Sequence, residues 1–226
     1  MSDPLVIFVH IPKTGGKSIR NMIKFRFGDL LQWDATDNGT SGENYMRVMM
    51  GHFPYGRHDR FPGREVRYFT VLRDPIQRLW SHYWSVVKNP KHYQFIKAGM
   101  LGPVRYFGDR SLTYENDNTQ TRMICGRGFG WNEQEPITQD DFDQARRNLA
   151  TFAAVGIFEQ FEDTVKIIYR ALGWKPDRMR LDNLGENKPL VIPGDARAAM
   201  LEVSVFDQQL YEFGQGLFEE NRSGSR

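Results

Sequence analysis

The chain has 226 residues, 30 of them lysine or arginine against 28 aspartate or glutamate, so its net charge is +2; this excludes a general nucleic-acid coat but leaves room for a local basic pocket that takes a small anion. Hydrophobic residues make up 40% and charged residues 26%, which excludes a disordered chain and is enough to bury a core without staples. The one cysteine, Cys125, excludes an internal disulfide and a cysteine-rich zinc site, and it suits a reducing interior.

Residues 5–9, Leu-Val-Ile-Phe-Val, are apolar and largely β-branched. The run is far short of the ~20 residues of a membrane span and lacks the flanks of a signal peptide. It predicts a first strand buried on both faces. A glycine turn follows, then a helix over 17–27 with Ile19, Met22, Ile23 and Phe27 on one face. Residues 34–44 read as a loop and residues 45–50 as a second strand, ending at Gly51-His52. Phe61-Pro62-Gly63 is a turn, and residues 68–72 are a third strand. Asp74-Pro75 then caps a helix running to about Val87.

Residues 89–131 read as short helices mixed with loops; aromatics that crowd the middle of the chain, such as Trp84, Tyr93, Tyr106 and Phe107, either pack a helical layer or stack on an acceptor. Arg105, Arg110, Arg122 and Arg127 either face an acidic acceptor or are solvated. A helix is predicted from Thr138 to Leu149, a strand over 153–158 and a helix over 159–172. Gly173 ends that helix, with Pro176 blocking continuation. A last helix from about Asp195 carries the stripe Val203, Phe206, Leu210, Phe213 and Leu217, and residues 221–226 form a frayed tail. The pattern predicts a single α/β domain over 1–226, with a central, mostly parallel sheet flanked by helices and an acceptor-side or lid insertion at about 89–135.

Two motifs carry chemistry. The first is Pro12-Lys13-Thr14-Gly15-Gly16-Lys17-Ser18, between a strand and a helix. Backbone N–H groups there converge at the positive end of a helix, Lys13 adds a fixed charge, and Ser18 can donate a hydroxyl. Gly16-Lys17-Ser18 matches the end of a nucleotide triphosphatase loop, but Ile11 stands where that pattern begins with glycine. In the second motif a strand delivers Arg73 at its carboxyl end, where open α/β sheets bind ligands, and Ser81 lies two turns into the next helix.

Together the motifs resemble those of the PAPS-dependent sulfotransferases, most closely the carbohydrate branch that includes heparan sulfate 2-O-sulfotransferase. The resemblance implies that Lys13, Thr14, Gly15, Gly16, Lys17 and Ser18 grip the 5′-phosphosulfate of PAPS, and that Arg73 and Ser81 grip its 3′-phosphate. Lys17 departs from the family's usual threonine or serine. Met50-Gly51-His52 resembles the family segment that carries the catalytic base, and Asn118-Thr119-Gln120-Thr121-Arg122 a further family stretch. His52 also stands out because it follows a glycine at a strand end, on the sheet edge that carries both anion motifs.

The implied function is transfer of a sulfuryl group from PAPS to an acceptor hydroxyl on a sugar, small molecule or protein. Lys13 and His52 would be catalytic. No metal, nucleic-acid or membrane partner is expected, and a cytoplasmic location is. Two rivals stand beside this reading. One is a kinase using ATP and magnesium with Asp74 near the metal, and the other a non-catalytic anion- or glycan-binding module.

Overall fold

The computed structural model describes residues 4–28, 31–33, 46–128, 135–175 and 189–224. Five parallel strands form one sheet in the order β2-β3-β1-β4-β5. They are β1 (Leu5–Val9), β2 (Leu31–Trp33), β3 (Val48–Gly51), β4 (Val66–Leu72) and β5 (Ala154–Ile157). β1 is central and all five of its residues are buried, as a β-branched run covered on both faces requires. The α/β class with helices flanking a parallel sheet therefore holds.

The chain winds from β1 to one side through β2 and β3, then crosses to β4 and β5 on the other. This puts a topological switch point beside β1, where such sheets open a crevice at their carboxyl ends. Register aligns those ends. Val9 pairs with Gly51 and with Thr70, and Leu72 pairs with Ile157. His10, His52, Arg73 and Phe158 therefore leave the sheet along one edge.

The helices are α1 (Gly16–Phe27), α2 (Pro75–Val87), α3 (Phe95–Gly108), α4 (Thr113–Asn116), α5 (Thr119–Cys125), α6 (Gln139–Ala150), α7 (Phe161–Ala171), α8 (Gly194–Glu202) and α9 (Val205–Ser223). α7 and α9 pack on β5, and α1 on β2 and β3. A second apolar cluster joins α2, α3 and α8 through Leu79, Trp80, Tyr83, Tyr106, Phe107 and Met200. The mid-chain aromatics Tyr106 and Phe107 are thus core, whereas Tyr93 is exposed. Arg122 is fully buried on Asp117 and the Glu135 carbonyl, and Arg127 is tied to Asp141. Arg122 is therefore not a solvated cation, whereas Arg127 stays partly exposed.

Several expected boundaries move. The edge strand β2 is extra, so the strand expected over 45–50 is the third and begins at Val48; the loop expected over 34–44 lies outside the described residues. β5 stops at Ile157, and a single 3-10 turn, Phe158–Gln160, precedes α7. Pro176 is outside the described residues, but Gly173 does adopt a left-handed φ of 67° after α7. The predicted last helix is two helices broken at Val203-Ser204. The Ser204 hydroxyl donates to the Met200 carbonyl, and Asn118 Oδ1 accepts the N–H groups of Phe206 and Asp207 at the head of α9. α9 stays helical through Ser223, where a frayed tail was expected from 221; Asn221 Nδ2 bonds the Leu217 carbonyl.

Candidate active site

The loop from β1 to α1 is built around close approaches. Lys13 adopts a left-handed φ of 73°, unusual for a residue with a side chain. Its conformation is held from both sides. The Thr14 hydroxyl donates to the Ile11 carbonyl at 2.8 Å, and Arg73 Nη1 donates to the Lys13 carbonyl at 2.8 Å. Gly15 follows with φ 86°, and a Cβ there would lie 2.8 Å from Phe161. A Cβ on Gly16 would lie 1.7 Å from His10 Nε2, so only glycine lets that ring pack against the helix start.

α1 has no side-chain cap and no acidic residue in its first turn. Among the described residues, the N–H groups of Thr14, Gly15, Gly16 and Lys17 have no hydrogen-bond partner. Four successive amides at the positive end of a helix form a cradle for an anion. The Ser18 N–H, expected to join them, instead donates to the Gly15 carbonyl at 3.0 Å. The side chains of Thr14 and Ser18 are buried, and that of Lys17 is exposed.

His52 leaves the end of β3 beside this loop. Its Nδ1 lies 2.8 Å from the carbonyl oxygen of His10, and the two rings sit 4.3 Å apart. A carbonyl only accepts, so Nδ1 carries the proton and Nε2 carries the lone pair in the neutral ring. The ring keeps an accessible edge, yet the loop crowds it enough to withhold water from the charged form. That desolvation lowers its pKa below 6.5, partly offset by the bond to His10. His10, buried by the Gly16 approach, is held well below 6.5 by its own desolvation and by His52.

Arg73 steps off β4 and joins the two motifs. Besides its bond to Lys13, its guanidinium lies 4.3 Å from the centre of the Phe158 ring. That contact follows from register, because Leu72 and Ile157 are paired and Arg73 and Phe158 come next. A cleft of about 600 Å³ opens beside them, lined by Arg73, Gln77, Phe158, Gln160 and Phe161 with Glu159, Glu162 and Asp163. Asp74 caps α2 as expected, accepting the Gln77 N–H at 2.8 Å. Ser81 is fully enclosed within the helical layer and does not line the cleft. Arg78 is buried too, with Nη2 on the Thr119 hydroxyl.

The structure therefore brings Lys13, the amides of 14–17, His52 and Arg73 to one sheet edge, and leaves Ser81 behind it. Two residues at this edge carry no site signal of their own in the sequence. Phe158 directly follows β5, and its only signal is that this strand ends beside β4. Gln120 has no assigned role in its motif, yet its side chain binds the main chain of Arg73.

A family model for the sulfotransferase family matches residues 2–179. The chain belongs to the sulfotransferase family. The matched span includes the anion loop, His52, Arg73 and Gln120, and ends before α8 and α9. Among solved structures, this sulfotransferase shares its fold with the crystal structure of a sulfotransferase from Alicyclobacillus acidocaldarius, at 15% identity, 97% coverage of each chain and a TM-score of 0.51. The mouse sulfotransferase SULT7A1 complexed with PAP matches at 11% identity over 92% of this chain and 66% of its own, with a TM-score of 0.42. No curated protein matches the chain.

Among the described residues, no helix is long and apolar enough to cross a membrane, and no group of three or more His, Cys, Asp or Glu is placed to hold a metal ion.

Proposed function

We propose that this sulfotransferase moves the sulfuryl group of PAPS to an acceptor hydroxyl, on a carbohydrate or another small molecule, by in-line displacement. The observation that carries this reading is the Arg73–Lys13 bond, which joins two separate cationic motifs into one surface beside four open amides. A donor with phosphate groups at both ends of its ribose calls for two such points.

In this reading the amides of 14–17 bind the 5′-phosphosulfate and Arg73 binds the 3′-phosphate. The Ser81 hydroxyl joins Arg73 only if α2 yields around it, since the residue is fully enclosed. His52 Nε2 takes the acceptor proton as the new S–O bond forms. The bond from sulfur to the bridging oxygen breaks, and its electron pair leaves on the 5′-phosphate of adenosine 3′,5′-bisphosphate. Lys13 neutralises that charge. The protein's work is positioning and electrostatic stabilisation.

The kinase rival needs Asp74 at a metal, and one oxygen of that carboxylate is already taken by capping α2. The binding-module rival gives no purpose to a histidine whose lone-pair nitrogen is fixed by a backbone carbonyl.

The test is incubation with PAPS labelled in the sulfuryl group and a panel of sugars, phenols and alcohols. Label should pass to a hydroxyl with one adenosine 3′,5′-bisphosphate formed per transfer, in the presence of EDTA. Transfer of γ-phosphate from ATP with magnesium, and none from PAPS, would establish the kinase instead.

A further inference from the structure

β4 ends at Leu72, the last of its residues paired to β5. The next peptide groups belong to Arg73, and they lie where a strand neighbour has run out. The side chain of Gln120 takes that neighbour's place. Its Oε1 accepts the Arg73 N–H at 3.0 Å, and its Nε2 donates to the Arg73 carbonyl at 2.9 Å. One carboxamide thus satisfies both main-chain groups of one residue, as a paired strand would.

Gln120 is itself fixed. It is fully buried, and its N–H donates to Asp207 Oδ2 at 3.1 Å. The other oxygen of Asp207 accepts the N–H and the hydroxyl of Thr121 at 2.7 and 2.8 Å. Asn118 answers by accepting the N–H groups of Phe206 and Asp207. The N-termini of α5 and α9 therefore cap each other, and Gln120 projects from that joint onto Arg73.

We infer that Gln120 is a positioning residue for recognition of the donor's 3′-phosphate, acting through the main chain of Arg73; the inference rests on the sulfotransfer reading above. Arg73 reaches in one direction to the Lys13 carbonyl and lies over Phe158. Two points on its side chain define the guanidinium's plane only while the backbone stays in place. Gln120 supplies that fixed end. α9, which lies outside the matched family span, thereby contributes to the site without touching it.

The experiment compares Gln120→Glu and Gln120→Met with wild type and Arg73→Ala, using calorimetric Kd values for adenosine 3′,5′-bisphosphate and adenosine 5′-monophosphate. The glutamate is isosteric and, when ionised, turns the donor into a second acceptor facing the Arg73 carbonyl; the methionine loses both groups. Arg73→Ala sets the scale of lost 3′-phosphate selectivity. Each Gln120 variant should weaken the bisphosphate roughly tenfold or more, with less than a twofold change for the monophosphate.

Equal losses for both ligands, or no loss, would overturn the inference and leave Gln120 as packing. If Gln120→Met is unfolded at the assay temperature, Gln120→Glu decides alone by the same criterion. Failure of Arg73→Ala itself to lose 3′-phosphate selectivity would overturn the underlying reading and this inference with it. Selectivity lost in Arg73→Ala but kept in both Gln120 variants would overturn this inference only.

Discussion

Lys13→Ala should lower kcat/KM by about 10²–10³, because in the proposed reaction it removes one preorganised charge at the leaving group. The effect comes from the ammonium group, because the loop itself is held by other contacts: the Thr14 hydroxyl on Ile11 and Arg73 on the Lys13 carbonyl. A second substitution separates charge from fold. Lys13 sits at φ 73°, where a Cβ is strained, so Lys13→Gly relieves that strain by about 1 kcal/mol while removing the same charge. It should be as inactive as Lys13→Ala and melt no lower than wild type. Steady-state rates with PAPS and a thermal melt check both statements. Near wild-type kcat/KM in Lys13→Ala would remove this residue from the chemistry.

His52→Ala should lower kcat by about 10²–10⁴, with little change in donor affinity, because in the proposed reaction the ring acts on the acceptor's proton. The pH profile gives an independent check. A general base works only when neutral, so the rate falls as pH drops through its pKa. Desolvation lowers that pKa from 6.5, with the His10 carbonyl bond opposing. The acid limb of kcat should therefore lie below pH 6.5, with a plateau through neutrality.

The same shifts make acid destabilising. In the unfolded chain both His10 and His52 take up protons near pH 6.5, while the folded state resists. Stability is thus fully present above pH 6.5 and falls as pH drops through the lowered folded-state values. Wild-type activity in His52→Ala, or a collapse of donor binding with it, would move the base elsewhere. His10 is the neighbouring imidazole, but it is 8% exposed and packed against Gly16, which leaves it little access to an acceptor.

What the sequence made legible was local. The run Leu5 to Val9 is apolar enough to be a central strand, and Asp74-Pro75 carries its helix start within four residues. The glycines at 15 and 16 mark a turn whose approach distances no other residue permits. Arg73 and His52 were readable because each directly follows a strand that ends on one edge.

The rest depends on partners far along the chain. The three residues of β2 form an edge with no apolar run to announce it. The break between α8 and α9 is set by Asn118, which caps α9 across 88 residues. Gln120 meets Arg73 across 47 residues, and no periodicity in either segment encodes that pairing. Ser81 shows the converse. Helical spacing from Arg73 is sound arithmetic, but it does not say which side of α2 is covered. Arg122 is not an acceptor contact for the same reason, being enclosed by its own acidic and carbonyl partners.

In the proposed function one surface, made by the amides of 14–17, Lys13 and Arg73, recognises a nucleotide with separate 5′ and 3′ phosphates without a metal. The most direct measurement is the melting temperature with adenosine 3′,5′-bisphosphate in EDTA, set against ATP with magnesium. At about 100 times Kd the bisphosphate contributes about 2.7 kcal/mol of stabilisation. For a chain of this length, 2–4 °C per kcal/mol gives a rise of roughly 5–10 °C. ATP should give a smaller rise, because its phosphates are chained at the 5′ end and leave Arg73 without its anion. A large, magnesium-dependent rise with ATP and none with the bisphosphate would contradict the account.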